Sequence, residues 1–392
     1  MTDTDIAPSS SARPSDEMLP FLNNFHDIFT TIGVLILLGG ISLGIGQVMG
    51  TLNLPEGEIS WQLALMGLIA GATVLVWLLS ALLVGKQRRI LPGIVLAGAF
   101  MFACTILLVW GYTQILVQGL GLEEGAVEAA FEAAEGMEFG RPAVAAVTSQ
   151  LPWSIRLIPV IAALAAFLPA FLYYRQFRLP FAGGLSGVGL VGLAVAIAFT
   201  IEPYTVALYL PTVNVLAGLG LLIAGIVFDA RDPARETRLA GTAFWLHFFA
   251  APILLSAVVN VTQMGWSFKG FDVDNPEAVN MFAAMAANDD RAASLAMTAL
   301  AVIGVFALVS LLINRRALIV SGLLTAGLSI AVLVNAAGLG AGAMIAVTLL
   351  VLGAVVVVLG AAWNPIRSVL LAPFPSEGPL ARLFPPVSAR EG

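Results

Sequence analysis

Ten long apolar blocks run along the chain, separated by short polar gaps, and the positive charges fall in every second gap. The blocks cover Ile28–Gly50, Trp61–Val84, Leu91–Val117, Trp153–Tyr173, Phe181–Thr200, Tyr204–Phe228, Gly241–Val261, Ala292–Ile313, Ala317–Asn335 and Met344–Ala362. Each is close to the roughly 20 residues that a helix needs to cross the hydrocarbon layer. Lipid supplies no hydrogen-bond partner, so every spanning segment must close its backbone bonds internally, as helices do. The short alternating segments of a transmembrane barrel are absent from the sequence. The expected fold is therefore all-α, a polytopic transmembrane helical bundle of about ten spans. Tight gaps at Glu202-Pro203, Asn314–Arg316 and Gly338–Gly342 predict antiparallel hairpins.

The charge alternation gives this bundle a direction. With the N-terminus inside, one face collects Arg13, Lys86, Arg88, Arg89, Arg175, Arg178, Arg231, Arg235, Arg238, Arg315, Arg316, Arg367, Arg382 and Arg390, which is 14 of the 18 basic residues. The other face keeps Arg141, Arg156, Lys269 and Arg291. A bias of this sign places both termini in the cytoplasm and suits a bacterial inner (plasma) membrane. Composition agrees: 59% of residues are hydrophobic and 11% charged, against roughly 25% charged in soluble domains. The net charge of −6 and the lack of a long basic run argue against nucleic acid as a partner. The single cysteine, Cys104, lies in an apolar block, which excludes an intrachain disulfide or a multi-cysteine metal site.

Outside the spans, residues 1–27 are polar and acidic, with no basic start of a secretory signal, and are expected to form a disordered cytosolic tail. The transmembrane bundle occupies 28–362. It carries two acidic outer segments, 119–152 and 263–291. In the first, Val127, Ala130, Phe131 and Ala134 recur at helical spacing, and Glu128, Glu132 and Glu135 fall on one helical face, a candidate cation-binding set. In the second, Asn275 and Pro276 suit the start of a short helix with Val279, Phe282, Met285 and Ala286 as its apolar stripe. Asp272-Val273-Asp274-Asn275-Pro276-Glu277 lacks the sixth-position glycine of a calcium loop. Residues 363–392 form a proline-rich cytosolic tail. There Ile366–Leu371 and Leu380–Phe384 are expected against the membrane surface, with Arg367 and Arg382 toward anionic headgroups.

Candidate chemistry is sparse. An ionisable residue within lipid marks a functional site by default, yet no Asp, Glu, Lys or Arg lies near the middle of any block. This counts against a carboxylate relay. His247 is the exception, about two turns from the cytoplasmic end of the seventh block and five residues before Pro252, where the helix is expected to kink. Asn214 and Asn260 complete a candidate intramembrane polar site, and a cluster of His26, Asp27 and His247 is sterically allowed. Gln47, Gln114, Asn214 and Asn260 suit hydrogen bonds between helices. Two histidines without ligand spacing imply no metal site. No cofactor motif and no catalytic pair is evident. Asp232-Pro233 reads as a cap and first turn for the helix into the seventh block. Gly40–Gly44 and Gly183–Gly187 have the spacing that lets helices approach closely.

The stretch Asp229…Arg238 followed by Ala243-Phe244-Trp245-Leu246-His247…Ala250-Ala251-Pro252 resembles one that recurs in multi-pass inner-membrane proteins of proteobacteria with no established activity. The closing Leu380-Ala381-Arg382-Leu383-Phe384-Pro385-Pro386-Val387 is similar to the Arg-Leu-Pro-Pro-like ends of that group. The resemblance implies an inner-membrane protein and singles out His247, but implies no mechanism. Two functions fit the sequence. One is transport or flipping of a small neutral or lipidic solute past Asn214, His247 and Asn260. The other is a non-catalytic membrane scaffold or sensor whose acidic outer segment meets a partner or cation. Partners are then the lipid bilayer and a membrane-protein partner or second copy. An intramembrane enzyme fits least well.

Overall fold

A computed structural model describes residues 25–56, 58–119, 125–137, 140–232, 237–266, 289–336, 340–375 and 378–385. The expectations for the N-terminal tail, for the helix over Asn275–Ala286 and for the last residues lie outside these. The described residues form helices and no strand. The long ones are α1 (Phe25–Thr51), α2 (Ile59–Ser80), α3 (Leu91–Gln114), α7 (Ile158–Phe177), α8 (Pro180–Ile201), α10 (Leu210–Arg231), α11 (Arg238–Met264), α12 (Asp289–Ile313), α13 (Ala317–Ala336) and α14 (Gly340–Ala361). Short helices α4 (Ala126–Glu132), α5 (Arg141–Gln150), α6 (Trp153–Arg156) and α9 (Pro203–Leu208) occupy the acidic face, and α15 (Trp363–Leu371) and α16 (Pro379–Leu383) follow α14. Among the described residues eight helices are long and apolar enough to cross a membrane, or ten if α13, bent by 42°, and α14–α15, bent by 66°, each count as one span. This is a multi-pass helical membrane protein.

Helix α11 is the centre of the bundle. Its apolar window is 56% buried, against at most 33% for the other single spans. It packs against α8, α10, α12 and α13, while α3 joins α1, α2 and α7 in the other half. Glycines make the α8–α11 contact: a Cβ on Gly183 would lie 2.9 Å from Thr242, and one on Gly184 2.5 Å from Trp245. Gly40 and Gly44 share the same spacing but touch nothing. They face outward with Ile36 and Leu43, which are 70% and 74% exposed, as lipid-facing positions should be.

Two halves follow from this packing. Trp77, Phe100, Tyr173 and Phe177 form an aromatic cluster with ring centroids 4.6–6.1 Å apart in the α1–α3/α7–α8 half. Leu221, Leu246, Leu254, Phe306 and Leu318 fill the α10–α13 half. Polar residues stitch helices as the sequence suggests for Gln114, whose amide donates to Gln62 at 2.9 Å between α3 and α2. Helix α11 runs continuously through Pro252. Its start is capped by Thr237, whose hydroxyl accepts from Leu239 N–H at 3.2 Å. The expected turn after Asp232 lies outside the described residues; the Asp232 carboxylate accepts from the Thr237 N–H at 2.9 Å and its hydroxyl at 2.6 Å.

Candidate functional site

The most concentrated chemistry lies at the basic end of the α10–α13 half. Asp229 sits in the last turn of α10, where the partial negative charge of the helix end disfavours a carboxylate. It therefore needs donors from elsewhere, and two helices supply them. His247, in the third turn of α11, lies with Nε2 at 3.0 Å from Asp229 Oδ2. Arg315 donates from Nε to the same oxygen at 3.0 Å and from Nη2 to Oδ1. This is the two-pronged geometry that makes Arg–carboxylate pairs strong. Side-chain exposure is 0% for His247, 3% for Arg315 and 15% for Asp229.

A carboxylate only accepts, so His247 Nε2 carries the proton and donates to Asp229. Nδ1 is buried and has no hydrogen-bond partner among the described residues. The ring is held by close packing: a Cβ on Gly225 would stand 2.7 Å from His247 Cε1 and 2.9 Å from Nδ1. Only a glycine leaves room there.

Arg315 is aimed by the turn between α12 and α13. Asn314 takes a left-handed conformation, φ 53°, which asparagine tolerates better than most side chains. The Arg315 N–H then reaches back to the Ser310 carbonyl at 2.8 Å, closing the end of α12 as a left-handed cap does. The Ser310 hydroxyl donates to the Arg315 carbonyl. Helix α15 clamps this turn from outside: Trp363 Nε1 donates to Asn314 Oδ1 at 3.0 Å, and Arg316 lies 5.0 Å over the Trp363 ring.

Arg367 overturns a sequence expectation. It is 0% exposed, so it does not reach toward headgroups. Trp363, Arg367 and Leu371 form the buried face of α15. The guanidinium donates from Nε to the Leu311 carbonyl at 2.8 Å and from Nη2 to the Pro385 carbonyl at 2.6 Å. Carbonyls in the last turn of α12 lack partners within the helix, and this arginine satisfies one while tying down the chain end. Phe384 then packs on the α10–α13 core.

The structure does not gather the other sequence candidates around His247. Asn260 lies on the same helix about 20 Å away at 1.5 Å per residue. Asn214 is in the first half of α10, at the end remote from Asp229; both asparagines are half-buried. Asp27 bonds Arg89 at 2.9 Å, so the sequence-suggested grouping of His26, Asp27 and His247 gives way to Asp229, His247 and Arg315. Glu128, Glu132 and Glu135 are exposed. Helix α4 stops at Glu132, which puts Glu135 in the following turn. Among the described residues no group of three or more His, Cys, Asp and Glu could hold a metal ion. Sequence reasoning missed Arg315, which looked like an ordinary loop cation. An acidic residue in the final turn of a helix was the available signal for Asp229.

The opposite face carries a cavity of about 520 Å³ between α4–α5 and the ends of α6–α9, walled by residues such as Phe131, Val147, Ile155 and Phe199. A second, of about 510 Å³, lies beside Trp77, Phe100 and Arg175. Neither reaches His247. No family model, curated protein or solved structure matches the chain, so the chemistry of these sites has to carry the interpretation.

Proposed function

We propose that the protein transports or flips a small neutral or lipidic solute in a bacterial inner membrane, with its basic face and both termini in the cytoplasm. The positive-inside charge bias supports the orientation. The observation that carries the reading is an asymmetry between the two faces. The basic end is shut by the Asp229–His247–Arg315 clasp, which ties α10 and α11 to the α12–α13 turn. The opposite end holds an open apolar cavity. A carrier closed on one side has this form. The lack of charge near the middle of the spans favours cargo whose bulk is apolar. The apolar wall of the cavity favours the lipidic cargo over the polar one.

Opening of the clasp is testable because Cys104 is the native sequence's single cysteine. In a Cys104→Ser background, a cysteine replacing Ala243, which is 0% exposed, should react slowly with a membrane-impermeant thiol reagent from the cytoplasmic side. Complete protection over hours, with the folded state confirmed, would count against a moving carrier. The scaffold or sensor reading would then gain. It draws support from the closed packing around His247 and from the exposed Glu128, Glu132 and Glu135. Deleting residues 125–139 should then abolish function with the spans intact.

A further inference from the structure

The cavity on the acidic face has enough chemistry to specify a ligand, given the lipidic-solute reading above. Its volume of about 520 Å³ falls among small-molecule pockets of roughly 300–1,000 Å³. If each methylene fills roughly the ~30 Å³ of a liquid water, there is room for about 17 of them, one acyl chain rather than two. The wall is apolar apart from Arg156 and the hydroxyls of Thr148 and Thr200. Thr200 stands beside Arg156, its Oγ1 3.3 Å from the Arg156 carbonyl.

Arg141 and Arg156, both on this face, differ. Arg141 is neutralised by Glu202 at 3.1 Å and lies 5.5 Å over the Tyr204 ring. The guanidinium of Arg156 is exposed and engages no carboxylate or hydrogen-bond acceptor among the described residues. It is a cation at the rim of an apolar chamber, at the end of α6 just ahead of α7. Burying an acyl chain beside it leaves an anionic headgroup within reach of five N–H donors. We propose that this cavity binds a single-chain amphiphile with an anionic headgroup, its chain against Phe131, Val147, Ile155 and Phe199 and its headgroup on Arg156.

The test uses the full-length protein in neutral detergent, with native mass spectrometry counting adducts of palmitate, palmitoyl-lysophosphatidylglycerol and hexadecanol. One adduct of an anionic probe is expected; preference for palmitate assigns a carboxylate headgroup, and preference for the lysolipid a phosphate. Arg156→Gln should weaken that adduct about tenfold, the effect of one lost charge-assisted hydrogen bond, and Arg156→Lys should restore most of it. Val147→Trp or Ala134→Trp, either of which fills the chamber, should remove it while the protein stays monodisperse. Equal binding of hexadecanol with no effect of Arg156→Gln would overturn the headgroup assignment and leave the lipidic reading standing. No adduct with any probe would overturn the site. Binding without translocation in vesicles would leave the site and remove the transport reading.

Discussion

At the residue scale, the account turns on a histidine that a glycine makes room for and a carboxylate shared by two donors. Gly225→Ala would drive a methyl group into the His247 ring, where a Cβ stands 2.7 Å from Cε1. Overpacking of this kind costs about 1–3 kcal/mol. The thermal midpoint in detergent should fall by several degrees, whereas Gly44→Ala, with nothing within 4 Å, should leave it unchanged. Asp229→Leu should cost about 3–5 kcal/mol, because it removes the carboxylate that pairs with the buried guanidinium of Arg315. The double variant Asp229→Leu/Arg315→Leu should recover most of that loss, since two apolar groups then replace a pair. A denaturation series on the single and double variants checks both, and equal loss in single and double variants would show that the two residues do not act together. His247 itself was legible in the sequence as an ionisable group in an apolar block. Its partners were not, because Asp229 precedes it by 18 positions and Arg315 follows it by 68, and only the packing of three helices brings them together.

At the element scale, the eight to ten long apolar helices of the described residues were readable from apolar length alone, since lipid imposes one solution on the backbone; the tight turn at Asn314–Arg316 was readable too, whereas α9 stands between α8 and α10 after Glu202. Interfaces were less readable. Gly40–Gly44 and Gly183–Gly187 have the same spacing, yet only the second pair meets a neighbour, because α8 lies beside the central helix and this part of α1 borders lipid. Arg367 was misread for a related reason. In a short amphipathic segment it suits a headgroup contact, but its face also fits the last turn of α12, where the Leu311 carbonyl accepts from it, and the protein contact prevails. Arg367→Met should therefore release the chain end. Amide exchange in α16 should accelerate at least tenfold, with α2 and α3 unaffected. Asn314→Val, forced into a left-handed conformation, should loosen the Arg315 turn more than Asn314→Gly.

At the scale of the whole molecule, the charge alternation separates a basic from an acidic face, and in the proposed carrier the two faces divide the labour. The basic face holds the Asp229–His247–Arg315 clasp and the segment around α16 that Arg367 ties down through the Pro385 carbonyl. The acidic face holds exposed glutamates, a short-helix cover and the apolar cavity. An alkaline phosphatase reporter fused after Gly136 should be active, and one fused after Arg316 inactive; the reverse would invert the topology. The cavity on the acidic face was not foreseeable from the sequence, because its wall combines α4–α5 with the ends of four later helices. The most direct measurement is translocation of a fluorescent lipid by the purified protein in vesicles, read as quenching by a reductant confined outside. The account predicts that wild-type protein exposes the inner-leaflet pool to quenching well above the protein-free rate, and that Val147→Trp abolishes the gain. Quenching that stops at the outer-leaflet half, as in empty vesicles, would contradict it.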